Sequence, residues 1–239
     1  VNPSHAPLAT DAADTAPPNR AGRRLLLAGT LLGAAGAALL VRSWPAAPRP
    51  AAPDAGSGAP AAPALRWREP AGPVPAFRAT GPQGRVDRQS LLGRWSLVFF
   101  GYTQCPDICP GTLGMLTEVF RLLPAELPRP GVLFLSVDPE RDLPGLLAEY
   151  LPAFHPDFRG AAGTDADLAA LVAHLGVRYH RHAPGPQGQY TVDHTASMFL
   201  LDPQARWRAE LEPPHEPQAI ARALTPLLAA VSAAAQGRS

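Results

Sequence analysis

Trp95-Ser96-Leu97-Val98-Phe99-Phe100-Gly101-Tyr102-Thr103-Gln104-Cys105-Pro106-Asp107-Ile108-Cys109-Pro110 runs an apolar hexapeptide into the two cysteines of a 239-residue chain. The hexapeptide, residues 95–100, has the length and bulk of a buried strand. Downstream, Leu113, Leu116, Phe120 and Leu123 repeat at helical spacing, which predicts a helix over residues 112–123. Pro110 suits the first position of that helix. Cys109 is then expected at the cap, near the positive end of the helix dipole, where a thiolate is stabilised. Each cysteine precedes a proline, which biases both toward extended backbone and predicts a loop pair. A regular helix holds Cβ atoms four residues apart at roughly 5–6 Å, whereas a disulfide wants about 3.5–4.5 Å. A loop can supply either. The order is strand, thiol loop, helix.

Two cysteines cannot build a disulfide scaffold, so they read as one site, either a redox couple or part of a metal centre. The formal net charge of +1 comes from nearly balanced basic and acidic counts, and nothing in it points to nucleic acid. Thirty prolines and 21 glycines indicate that a sizeable part of the chain is not packed core.

N-terminal to the thiol stretch, residues 1–20 are small and polar and are expected as a disordered tail. Residues 25–41 carry no charge and follow Arg20, Arg23 and Arg24. A membrane-spanning helix needs about 17–25 apolar residues, so residues 21–42 are expected to be a transmembrane anchor, with a signal sequence as the competing reading. Arginines ahead of the span place the amino terminus inside and the remainder on the exported, periplasmic-type side. Residues 43–73 are rich in Pro and Ala and are expected as a stiff linker. The folded domain is expected over residues 74–235, opening with a hairpin around Gly81-Pro82-Gln83-Gly84.

C-terminal to the thiol helix, residues 131–137 form a second buried strand, ending at Asp138-Pro139. Helices are expected over residues 143–150 and over 164–175, the latter capped by Thr164. A short strand at residues 177–179 comes next, then a Gly/Pro-rich loop, then one strand over residues 193–201 that opens with His194. Residues 206–211 could pair with it, and residues 216–234 close the chain as a helix. Strands alternating with helices predict an α/β fold with a central sheet covered on both faces.

Soft thiolates favour copper(I), zinc or iron–sulfur clusters, and imidazole suits copper and zinc. Two thiols rule out a four-cysteine cluster from one chain. One histidine added to Cys105 and Cys109 makes three ligands, enough for copper(I) and one short of structural zinc, with catalytic zinc still open. His155, His174, His180, His182 and His215 fall in helix or loop contexts where a solvated or hydrogen-bonded histidine is the ordinary outcome, and His5 lies in the tail. His194 differs, because it opens a core strand between Asp193 and Thr195. From the residues alone it is either a ligand or a core histidine.

The run from Phe100 to Pro110, followed by Thr112-Leu113, resembles the signature of the SCO/SenC family of copper-binding proteins involved in cytochrome c oxidase assembly. Two further blocks agree, Ser136-Val137-Asp138-Pro139-Glu140-Arg141-Asp142 and Val192-Asp193-His194-Thr195. The resemblance covers residues 74–230. It implies a thioredoxin-like three-layer α/β/α fold with an added β-hairpin, copper as the bound metal, and Cys105, Cys109 and His194 as its ligands. It also implies delivery of copper to the binuclear copper site of an oxidase subunit, with a copper donor and thiol–disulfide partners as further contacts. The chain is then a chaperone rather than an enzyme. The alternative is an exported thiol–disulfide oxidoreductase using Cys105 and Cys109 as a redox pair, and a peroxidase-like enzyme is a third reading from the fold class.

Other conspicuous residues have plainer readings. Asp138, Glu140, Arg141 and Asp142 could tune the thiols or form a strand-end turn in which Asp142 caps the next helix. Asp107 could modulate metal charge or face water, Asp193 could orient the imidazole, and Met198 is expected in the core. Leu143 departs from the family pattern, where a small polar residue is expected.

Overall fold

A computed structural model describes residues 65–69 and 72–236. The expected tail, the apolar segment at residues 25–41 and most of the expected linker lie outside those residues. The elements in chain order are β1 (Arg66–Trp67), β2 (Arg78–Gly81), β3 (Gly84–Asp87), β4 (Ser96–Gly101), α1 (Ile108–Leu122), β5 (Gly131–Ser136), α2 (Pro144–Tyr150), β6 (Phe158–Ala162), α3 (Asp165–Leu175), β7 (Tyr179–Arg181), β8 (Val192–His194), β9 (Met198–Leu201), β10 (Trp207–Leu211) and α4 (Pro217–Gln236). Eight strands make one mixed sheet in the order β1-β10-β9-β4-β5-β6-β2-β3, and β7 and β8 form a separate two-stranded ribbon.

The centre of the sheet follows from composition. β4 pairs in parallel with β5, and β5 with β6. Every residue of β4 is buried, as a parallel strand covered on both faces requires, which is why it reads as an unbroken apolar run rather than an alternation. β9 joins antiparallel on the other side of β4, and Met198 is fully buried there, as expected of a core residue. α1 packs against α4, while α2 and α3 lie against β6 and β2. The β2–β3 hairpin turns where its Gly and Pro residues predict, with Gly84 at φ +101°. Thr164 caps α3 by accepting from the Asp167 N–H, and Gly176 ends it in the left-handed region, the two end signals written in the sequence.

Several elements differ from the sequence expectation. α1 begins at Ile108, so Cys109 is the second residue of the helix and not its cap. The pre-proline bias is overridden because the buried stripe starts one turn early, at Cys109, and continues through Thr112, Leu113, Leu116 and Phe120. Pro110 is tolerated because its missing N–H lies among the unpaired donors of the first turn. The expected strand over residues 193–201 is two strands in two sheets: β9 enters the core sheet, and β8 pairs with β7. Asp193, with a side chain 77% exposed, could not continue into a buried central strand without a partner for its charge. The strand expected at residues 177–179 lies two residues later, as β7, and His180 falls within it. β1 falls inside the expected linker, with Leu65 buried and Arg66–Trp67 paired to β10.

Candidate metal centre

The parallel strands β4 and β5 end side by side, Gly101 opposite Ser136. The connections that leave them, residues 102–107 and 137–143, therefore meet at the carboxyl ends of these two central strands, the place where open α/β sheets present their ligand sites. Cys105 lies in the first connection and Cys109 in the first turn of α1. His194 reaches the same spot from the end of β8.

The ligand atoms of Cys105, Cys109 and His194 lie within 4.8 Å of one another, and both thiols are free. Cys109 is wholly buried, whereas Cys105 is 9% exposed. Cys105 Sγ accepts the Cys109 backbone N–H at 3.4 Å. Asp107, at the N-cap, makes no side-chain cap bond, so a sulfur serves one of the orphan donors of this helix start. His194 Nδ1 lies 3.1 Å from the Thr195 carbonyl oxygen, which can only accept, so Nδ1 carries the proton. Nε2 then presents its lone pair to the Cys109 thiol at 3.3 Å. Phe99 and Tyr102 hold the ring edge-on, each with a centroid separation of 6.0 Å.

Burial sets the protonation states. It pushes the Cys109 thiol well above the ordinary cysteine range, against the lowering effect of a backbone hydrogen bond at Tyr102. Burial also holds the His194 imidazole below its usual range, with the Thr195 carbonyl acting in the opposite sense. The resting site therefore pairs a protonated buried thiol with a neutral imidazole, the form in which a histidine ligates metal. A pocket of about 370 Å³ opens onto Cys105 and His194, lined also by Tyr102, Pro106, Ile108 and Val192.

Two features absent from the sequence reading shape this site. A Cβ at Gly101 would fall 2.6 Å from Cys109 Sγ and 2.8 Å from Phe134 Cε2, so glycine leaves the room that the thiol fills. The only sequence signal was a Gly at the end of an apolar run. Asp142 does not cap α2; Leu143 holds that position and makes no side-chain cap bond. Asp142 instead turns inward, wholly buried, and accepts from Thr103 N at 2.9 Å, Thr103 Oγ1 at 2.6 Å and Ser136 Oγ at 2.6 Å. It ties the thiol connection to the end of β5. Asp138 is also buried and accepts from Arg141 and from the Tyr190 hydroxyl. Arg141 donates to Gln104 Oε1 and the Tyr190 carbonyl and stacks 3.5 Å over the Tyr190 ring. Glu140 faces solvent. Asp193 makes no hydrogen bond to His194: its carboxylate lies 2.9 Å from His182 Nε2, although the residue borders the same pocket and its charge favours the protonated imidazole.

The family model described as SCO1/SenC matches residues 68–229. The chain belongs to the SCO1/SenC family. Among curated SCO1/SenC relatives, the mitochondrial SCO2 homolog of Bos taurus is 38% identical over 130 residues, which are 53% of this chain and 49% of that protein. A putative copper-binding protein of Stutzerimonas stutzeri is 34% identical over 141 residues, 59% of this chain and 69% of that one. This chain thus spans about half the length of the mitochondrial relatives it matches. Among solved structures, ScoI of Bradyrhizobium japonicum with copper bound is similar with a TM-score of 0.57 and 35% identity, covering 64% of this chain and 97% of that one. The apo Sco1 solution structure from Thermus thermophilus gives 0.57 and 36%, covering 69% and 92%. The mixed α/β fold with its central sheet is the fold of these Sco structures. Among the described residues no helix is long and apolar enough to cross a membrane.

Proposed function

We propose that this chain binds copper through Cys105 Sγ, Cys109 Sγ and His194 Nε2 and hands it to the binuclear copper site of a cytochrome c oxidase subunit during assembly. The observation that carries this reading is the convergence of two thiols and an unprotonated imidazole nitrogen within 4.8 Å, with a pocket opening onto Cys105 and His194. Two sulfurs and one nitrogen suit copper(I), and the copper-bound Sco structures among the relatives support the choice of metal. Copper is cargo here. Three ligands with Cys105 at the open edge leave a side from which an incoming donor atom can displace one ligand at a time. Binding must expel the proton held by Cys109, so apparent affinity falls as pH falls. In this reading residues 21–42 anchor the domain on the exported side of a membrane and residues 43–64 space it from the surface, since the chain from Leu65 onward is already part of the domain.

The two free thiols so close together also suit thiol–disulfide exchange with partner cysteines. A disulfide between them and a copper ion on them are mutually exclusive, and His194 separates the two activities. Anaerobic copper(I) titration of the reduced chain, with X-ray absorption to count sulfur and nitrogen neighbours, should give one copper on two sulfurs and one nitrogen. His194→Ala should lose tight binding while leaving thiol–disulfide exchange intact. Unchanged copper(I) affinity in His194→Ala would overturn the three-ligand site.

A further inference from the structure

The β7–β8 ribbon has two faces of different chemistry. Strand side chains alternate, and the register sets Tyr179 opposite His194, His180 opposite Asp193 and Arg181 opposite Val192. One face turns inward: His194 meets Cys109, and Arg181 donates to the Val137 carbonyl. The other face carries His180, His182 and Asp193. On it, His182 Nε2 and Asp193 Oδ2 are 2.9 Å apart, and the two imidazoles stand with centroids 5.1 Å apart at 84°. The His182–Asp193 contact alone is an ordinary ion pair. His180 makes it more, because it stands beside the pair with neither ring nitrogen hydrogen-bonded to a described residue.

We propose that His180, His182 and Asp193 form a second metal site, selective for a divalent first-row transition ion such as Cu²⁺ or Zn²⁺. His182 follows β7 directly and keeps the ribbon pairing through its N–H to the Thr191 carbonyl, so it shares a face with His180 at about 6.6 Å between Cα positions, a span two imidazoles can close around one ion at roughly 2.0–2.1 Å per nitrogen. Two imidazoles and a carboxylate are borderline and hard donors, which favour Cu²⁺ over the other divalent ions. They lack the thiolates that draw copper(I). The site therefore differs from the Cys105–Cys109–His194 centre in its donor set and is built chiefly from the ribbon side chains that point away from the thiols. Both side chains of the His182–Asp193 pair are open to solvent, 46% and 77% exposed, so no packing holds them in place, and binding draws the two rings and the carboxylate together from a starting arrangement looser than that of the thiol centre.

The test uses the 239-residue chain with Cys105→Ser, Cys109→Ser and His194→Ala together, which removes the thiol centre and makes the result independent of the copper hand-over reading. Cu²⁺ binding is followed by electron paramagnetic resonance, and Zn²⁺ by competition with a chelating indicator. One tightly bound Cu²⁺ per chain is expected, with hyperfine splitting from two imidazole nitrogens. His180→Ala and His182→Ala should each weaken Cu²⁺ and Zn²⁺ by about tenfold or more, Asp193→Asn should weaken both by a smaller factor, and His180→Ala with His182→Ala should abolish the signal. An unchanged spectrum and affinity in the double variant would overturn the proposal. So would loss of the signal on His5→Ala, which would assign the ion to the amino-terminal segment.

Discussion

His194 shows how much one residue's role depends on its neighbours on the chain. Its Nδ1 proton is fixed by the carbonyl of the next residue, Thr195, so the ring meets Cys109 with a lone pair rather than a proton, whatever metal is present. Gly101 acts by what it lacks. Gly101→Ala would drive a methyl group to 2.6 Å from Cys109 Sγ, and overpacking of this kind costs about 1–3 kcal/mol. The variant is expected to unfold at lower denaturant and to bind copper(I) at least tenfold more weakly; equal copper affinity would show that the thiol is free to shift. The cysteines and His194 were legible because sulfur is scarce in this sequence and family blocks surround them. Gly101 was not, because its function is a distance to atoms 8 and 33 residues away in sequence. Adjacency suggested that Asp193 orients His194, but neighbouring strand residues point to opposite faces, so its carboxylate pairs with His182 and reaches the imidazole only through its charge.

At the scale of elements, the junction between β4 and β5 depends on a buried carboxylate. Asp142 accepts three hydrogen bonds, two from the thiol connection and one from the end of β5, and removing it strands Thr103 and Ser136 donors in the interior. Asp142→Ala should therefore cost about 3 kcal/mol, since a hydrogen bond to a charged group contributes about 1.5–3 kcal/mol and orphaned partners add to the loss. Urea denaturation would read this as a lower midpoint at unchanged slope. A loss under about 1 kcal/mol would mean that water replaces the carboxylate there. By contrast Thr164→Ala removes one exposed cap from α3 and should cost about 1 kcal/mol, because the helix keeps its Gly176 terminus. Both ends of α3, the β2–β3 turn and the paired apolar runs of β4 and β5 could be read directly from residue type. β6 could not. Its segment Phe158-Arg159-Gly160-Ala161-Ala162 has little of the branched bulk that marks a strand, because Gly160 lies under Leu151 and Leu147, where a Cβ would collide with the Leu151 side chain. β1 was hidden in the same way, inside Pro/Ala-rich sequence whose pairing with β10 only tertiary structure provides.

Across the whole molecule, stability should follow pH in two separate windows. His194 and His215 are both held below the ordinary histidine range by burial. The unfolded chain therefore binds protons first as pH falls past about 6.5, and stability present above that pH is lost as it drops through the depressed folded values. Asp165 is held low chiefly by the Arg181 guanidinium. At Asp202 burial opposes ionisation, but donors from Arg206, Gln204 and Arg208 outweigh it. These two carboxylates contribute stability above about pH 3.9 that is lost below it. Thermal melts of the apo protein should show a first fall in Tm below about pH 6.5 and a second below about pH 4. A flat Tm between pH 7.5 and 5 would contradict the burial of the two histidines. The central sheet was legible because its strands are apolar on both faces. The ribbon was not, since its strands are three residues each, too short for any periodicity to register. The unequal burial of the two thiols bears on the order in which they release a metal. Cys109 is wholly buried, whereas Cys105 keeps a small exposed surface beside Pro106 and Ile108 in the pocket. In the proposed hand-over the thiols would then part from copper unequally, Cys105 being the one an incoming ligand can displace first and Cys109 the one that lets go last.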